Sequence, residues 1–125
     1  MKKEKWYAKE IRNRSALTYS YRQTGIPACN VLEAIWNNNS CPIGTIWYMW
    51  RGKGTVEILS SYVINHYRRL GVRTYLHERL LAAYPNKIKA IITGEGTKDS
   101  IPWLKKMGFK QNEADGWRLD IKRKS

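Results

Sequence analysis

The stretch from Val56 to Tyr84 constrains the fold of this 125-residue chain more than any other. Thr55 to Ile64 is rich in β-branched and aromatic residues and follows the turn-forming Arg51-Gly52-Lys53-Gly54, the composition of a largely buried strand. From Val72 onward the apolar residues Val72, Leu76, Leu80 and Ala83 recur at helical spacing, and Pro85 stops the pattern. Between strand and helix lies Arg68-Arg69-Leu70-Gly71-Val72-Arg73. A strand-to-helix turn presents unpaired backbone N–H groups at a helix N-terminus, where the aligned peptide dipoles also place partial positive charge. Such a turn can cradle a pyrophosphate. Gly71 would let the backbone approach phosphates closely, and Arg68, Arg69 and Arg73 would add charge-assisted donors. The same residues also suit a plain strand-turn-helix with a solvated basic turn.

Length suggests one compact domain over residues 1–125. Lys and Arg number 23 against 10 Asp and Glu, a formal charge of +13, so the surface field should attract polyanions. A phosphate-bearing cofactor alone does not require so large an excess; nucleic acid or an acidic protein face are further candidate partners. Cys29, Cys41, His66 and His77 are the only cysteines and histidines, and they make no metal-ligand pattern. The start Met1-Lys2-Lys3-Glu4-Lys5 lacks an export segment and no apolar run reaches the ~18 residues of a membrane span. The expectation is a cytoplasmic chain with reduced thiols.

Along the rest of the chain, the alternation in Lys5 to Ile11 reads as a first strand, Arg12 to Gln23 as polar and aromatic, and Thr24-Gly25-Ile26-Pro27 as punctuation. Ala28, Val31, Leu32, Ile35 and Trp36 fall on one helical face, which predicts a helix over Pro27 to Trp36 ended by Asn37-Asn38-Asn39-Ser40. Pro42 to Trp50 reads as a strand joined through Arg51-Gly52-Lys53-Gly54 to the Thr55 strand as a hairpin. Ile88 to Ile92 reads as a strand parallel to it, completing a strand-helix-strand unit. Asp99-Ser100 offers an N-cap, Pro102 suits a first turn, and Gly108 follows a helix ending near Met107 with Lys105 and Lys106 at its negative end. Phe109 to Gln111 and Trp117 to Ile121, joined through Glu113-Ala114-Asp115-Gly116, form a closing hairpin before a frayed tail, Lys122 to Ser125.

Two of these stretches resemble the GNAT superfamily of N-acetyltransferases. Val63-x-x-x-Tyr67-Arg68-x-x-Gly71-Val72 is similar to its cofactor segment, with Arg73 standing where the family has Gly or Ala. Trp103-Leu104-Lys105-Lys106-Met107-Gly108-Phe109 resembles the short helix that ends in Lys-x-Gly-Phe. The resemblance implies an α/β fold with a mixed, splayed central sheet and helices on both faces. The region after the first strand would supply helices walling the acceptor cleft. Acetyl-CoA would be the donor, its pantetheine arm inserted beside the Tyr62-Val63 strand end, with Tyr62, Val63, Ile64, Arg68, Arg69, Leu70, Gly71, Val72, Arg73 and Thr74 holding the cofactor.

The family's proton-donating Tyr falls here on Leu104, and the Asn that contacts pantetheine has Thr97 nearest in register. A CoA thiolate has a pKa of about 8 to 9, close to a Cys side chain, so losing the acid would slow the reaction without abolishing it. Tyr48, Tyr62, Tyr75 or Ser100 could substitute in space. Glu57, six residues before Val63, stands where some members hold the glutamate that deprotonates the amine; an ion-paired strand Glu is the other reading. The resemblance puts His66 in the loop before the phosphate turn. Two functions stay open: acetyl transfer to an amine on a macromolecular or acidic acceptor, or a non-catalytic scaffold that binds nucleic acid or an acidic protein. Oligomeric state is not encoded in any of these patterns.

Overall fold

The structure is a computed structural model and describes residues 6–14, 16–25, 29–36, 41–94 and 100–121. Seven strands form one mixed sheet in the order β1-β2-β3-β4-β5-β7-β6. The strands are β1 Leu17–Gln23, β2 Cys29–Trp36, β3 Gly44–Gly52, β4 Thr55–Val63, β5 Ala90–Thr93, β6 Lys110–Asn112 and β7 Gly116–Asp120. Three α-helices accompany them, α1 Trp6–Arg12, α2 Val72–Ala83 and α3 Ile101–Met107, with a 3-10 turn at Asn65–Tyr67.

From β3 to β7 the chain folds as its local chemistry directs. Gly52, Lys53 and Gly54 all take positive φ, tightening the β3–β4 hairpin. β4 and β5 pair in parallel across α2, Thr55 opposite Ala90 through Ile58 opposite Thr93. α3 ends on Gly108, left-handed at φ 96°. Ser100 occupies its N-cap position without a side-chain capping bond, and Asp99 lies outside the described residues.

The first third differs from expectation. Trp6–Arg12 is a helix, not a strand, because Ala8 and Ile11, three apart, bury one helical face in the core. Cys29–Trp36 is a strand, not a helix. It lies inside the sheet between β1 and β3, where Cys29, Val31, Leu32, Ala34 and Trp36 are buried from both faces, and a strand covered on both sides imitates an apolar helical run. Pro27, Ala28 and Asn37 to Ser40, the expected helix ends, lie outside the described residues. β1 comes from the segment that reads only as polar and aromatic.

The expected mixed sheet flanked by helices is present, with α1, α2 and α3 gathered on one face rather than divided between two. The links β4–α2–β5 and β5–α3–β6 step the same way across the sheet, so right-handed crossovers set both helices on the same side. α3 accordingly touches α2: the Trp103 and Phe109 rings pack on His77, at 5.8 and 6.2 Å between centroids. α1 joins them through Tyr7, whose ring meets Tyr67 at 5.2 Å and Trp36 at 6.0 Å. Beneath α2, Leu76 and Leu80 close on Leu32, Ile46, Val56 and Ile91, one from each central strand, each side chain contributing about 1.5–3 kcal/mol by burial.

Candidate functional site

The site begins where β4 stops being an ordinary strand. Ile58 is its last residue paired with β5, and Leu59 to Val63 run on with a partner only in β3. At the same level the β3 register slips, Tyr48 facing Ile58 but Trp47 facing Ser60, so Leu59 is an extra residue in a β-bulge. A bulge bends its strand and interrupts the ladder. The Thr93 hydroxyl donates to the Ile58 carbonyl at 3.1 Å, pinning the two strands where they part. The splay expected beside Tyr62 and Val63 therefore has a local cause.

Beyond Val63 the 3-10 turn leads into Arg68 to Gly71. Arg69 (φ 65°) and Gly71 (φ 84°) are both left-handed, which curls the turn and favours glycine at the second position. Leu70 between them is buried and anchors the loop to the core. Gly71 is the N-cap of α2 and supplies no side-chain cap, so the first N–H groups of a twelve-residue helix open onto the turn. A Cβ on Gly71 would meet nothing within 4 Å: conformation demands the glycine here, and the space above it stays open.

A groove of about 670 Å³ joins these features. Its walls include Tyr62, Val63, Arg68, Arg69, Gly71, Val72 and Arg73, seven of the ten residues expected around a cofactor. Ile64, Leu70 and Thr74 are not among them. Leu70 points into the core, and the Thr74 hydroxyl accepts a 3.0 Å hydrogen bond from Trp103 Nε1. Ser61, Asn65, Tyr67, Ser100 and Trp103 complete the lining. Arg68 Nε donates to the Val63 carbonyl at 3.0 Å with its guanidinium 5.6 Å from the Tyr62 ring, tying the basic turn to the free end of β4. Arg73 is accommodated by stacking over Trp103 at 4.3 Å. That cation-π contact and the Trp103–Thr74 bond join α3 to the first turn of α2.

Glu57 lies outside the groove lining, on the face of β4 opposite Val56 and Ile58, and is ion-paired with Arg51. Leu104 is fully buried, so the helix position expected to hold a proton donor has no access to the groove. Of the possible substitutes, Tyr48 is buried and hydrogen-bonded to Tyr84 at 2.9 Å, with burial pushing its phenol pKa up, and Tyr75 sits beneath Arg14. Tyr62 and Ser100 do line the groove. His66 is exposed in the 3-10 turn, as the register implies, and its carbonyl accepts from the Tyr7 hydroxyl. His77, buried behind Trp103, has no hydrogen-bond partner at Nδ1, and burial lowers its pKa. Thr97 lies outside the described residues. The bulge at Leu59 and the groove-lining role of Trp103 escape sequence reasoning: a bulge has no composition of its own, and Trp103 reads as an ordinary apolar helix residue.

The geometry has relatives. No curated protein matches the sequence. The E. coli protein YhhK, solved in solution bound to coenzyme A, superimposes with a TM-score of 0.70 at 17% identity, over 84% of this chain and 98% of its own. A GNAT family acetyltransferase from Elizabethkingia anophelis, with acetyl-CoA bound, gives 0.65 at 17% identity and 79% coverage of each chain. Tetrahymena GCN5 gives 0.64 at 16% identity, over 78% of this chain and 71% of its own. Identities this low speak for the fold alone. Residues 3–109 match the acetyltransferase (GNAT) family, and the chain belongs to that family.

Proposed function

We propose that this protein is an N-acetyltransferase that moves an acetyl group from acetyl-CoA to an amine, through a single domain acting in the cytoplasm. The observation that carries the reading is the continuous groove from the free end of β4 to the uncapped N-terminus of α2. It suits the cofactor at both ends: helix N–H groups and Arg68, Arg69 and Arg73 for phosphates, and unpaired strand backbone for an amide-bearing arm. The E. coli and Elizabethkingia proteins of the same fold bind coenzyme A and acetyl-CoA.

In this reading the thioester lies where β4 and β5 part. The amine lone pair attacks the carbonyl carbon, backbone N–H groups near the Leu59 bulge stabilise the oxyanion, and the C–S bond breaks to release the thiolate. Glu57, on the face of β4 away from α2, takes the amine proton through water. Tyr62 or Ser100 protonates the leaving thiolate.

The acceptor is macromolecular, or an amine on an acidic molecule. The charge of +13 supports this, and so does the hairpin in which Gln23 pairs with Asn30. That hairpin leaves no room for a walling helix between β1 and β2, and among the described residues the sheet face opposite α2 carries no helix. A flat face suits an acceptor that brings its own surface. The buried Leu104 favours the second reading, a non-catalytic scaffold for nucleic acid or an acidic protein.

Calorimetric titration with acetyl-CoA at near-physiological salt, with ATP as a control for non-specific anion attraction, tests the reading. Saturable micromolar binding that ATP does not reproduce is expected, and Gly71→Glu, which sets a carboxylate in the phosphate cradle, should abolish it while leaving the fold. If acetyl-CoA binds no better than ATP, the scaffold reading takes its place.

A further inference from the structure

A second concave surface lies at the other end of α2, about 16 Å along the helix from the phosphate turn. It encloses about 380 Å³ between β1 and the last turns of α2, and its walls are Tyr19, Tyr21, Arg79, Ala82, Ala83 and Tyr84. Tyr19 and Tyr21 are 44% and 41% exposed, large aromatic areas for a sheet face to leave in water. Their rings meet edge to face at 5.5 Å, and the Arg79 guanidinium lies 4.9 Å from the Tyr19 ring centre. The Tyr21 hydroxyl donates to the Arg79 carbonyl at 3.0 Å, which fixes the strand against the helix. Tyr84 continues the aromatic surface, its ring 5.0 Å from Trp50.

The same end of the molecule gathers cations. The Lys87 N–H donates to the Tyr84 carbonyl, and a Cβ on Gly54 would touch Lys89, so the 84–89 turn and the Lys53 hairpin adjoin. Among the described residues no carboxylate pairs with Lys53, Lys87, Lys89 or Arg79, whereas Glu57 and Glu78 are taken by Arg51 and Arg14. Nothing in acetyl transfer uses this end, and the charge excess of the chain exceeds what a cofactor groove requires.

We propose that this surface binds single-stranded nucleic acid. A base stacks on the Tyr19–Arg79 pair, and Lys53, Lys87 and Lys89 take neighbouring phosphates. Flat rings beside a guanidinium plane recognise nucleobases whatever their sequence, and an acidic peptide has no use for them. The concavity has room for a base and its sugar, and a base is free to enter only when it is not already paired.

Fluorescence anisotropy with a labelled oligothymidylate of about 12 nucleotides, within the range of known single-strand sites, tests the proposal. Saturable binding that weakens steeply with salt is expected. Replacing Tyr19 and Tyr21 together by Leu should cost about tenfold in affinity, and so should Arg79→Gln, which leaves both strand tyrosines in place. Lys53→Gln with Lys87→Gln should instead flatten the salt dependence by roughly one unit of log–log slope. Melting temperature and circular dichroism report whether each variant is folded, independently of acetyl-CoA binding. Displacement of the oligonucleotide by an equal length of polyglutamate at equal concentration would overturn the proposal in favour of an acidic peptide. Wild-type affinity in folded Tyr19/Tyr21 and Arg79 variants would overturn it outright.

Discussion

Gly44 on β3 is where the sheet meets the first turn of α2, and Gly44→Ala tests whether that seat sets the groove. A Cβ there would stand 2.8 Å from Val72 Cγ1, 3.3 Å from Leu76 Cδ1 and 3.3 Å from the Tyr62 carbonyl oxygen. Two of the three neighbours are side-chain atoms of a packed core and the third is backbone, so relief requires α2 to lift from the sheet. Overpacking of this kind costs about 1–3 kcal/mol, while a strand glycine replaced by alanine recovers about 0.5–1 kcal/mol of backbone entropy. A net loss of about 1–2 kcal/mol is expected, a fall in Tm on the order of 5 °C. Because Val72 follows Gly71 directly and lines the groove, acetyl-CoA affinity should fall with stability. Adding Val72→Ala makes room for the new methyl, so urea unfolding of both single variants and the double should reveal a favourable coupling. If Gly44→Ala is as stable as the parent and the double variant shows no coupling, α2 is not seated on Gly44, and the packing account of the groove fails.

Three other perturbations probe the site. Leu104→Tyr restores the side chain that related enzymes carry in this helix, but Leu104 is fully buried. The larger ring should destabilise by about 1–3 kcal/mol without raising turnover, and faster acetyl transfer would contradict that placement. His77 is held neutral by burial, its folded pKa below the unfolded value of about 6.5. As pH falls through that value the unfolded chain takes up a proton that the folded chain refuses, so stability drops until the folded pKa is reached. Urea midpoints at pH 7.5 and 5.5 should therefore diverge less in His77→Phe than in the parent, and equal differences would remove His77 from the acid response. Glu57→Gln should lower turnover more at neutral than at alkaline pH, because free amine grows with pH. A uniform or absent effect in a steady-state pH profile would remove Glu57 from the mechanism.

The contrast between the two halves of the chain shows what a sequence of this kind encodes locally. From β3 onward each element carries its own boundary: glycines in the Gly52–Gly54 hairpin, Pro85 after α2, Gly108 after α3. In the first third the deciding partners are distant. Trp6–Arg12 is helical because Ala8 and Ile11 reach the core and Tyr7 reaches Trp36 and Tyr67. The spacing of Ala8 and Ile11 was a helical signal, outweighed in the sequence by neighbouring aromatics. β2 is buried on both faces by β1 and β3, information that no window around Val31 contains. Leu17, Tyr19 and Tyr21 did alternate with polar residues, the period of β1.

The site divides along the same line. The phosphate turn was legible because it needs particular residues in a row, a left-handed Gly71 and its arginines, whatever packs around them. The splay was not, because it arises from a register slip between β3 and β4 at Leu59 together with the end of β5 at Thr93. Arg73 joins the two. In sequence it departs from the small residue expected at that position; in the structure its guanidinium rests on Trp103, whose indole is bonded to Thr74 one residue further along α2. The added bulk is thus directed sideways onto α3, away from the helix N-terminus, and the open space over Gly71 is kept. A substitution that looks like damage to a cradle becomes, once α3 is placed, a brace for one of its walls.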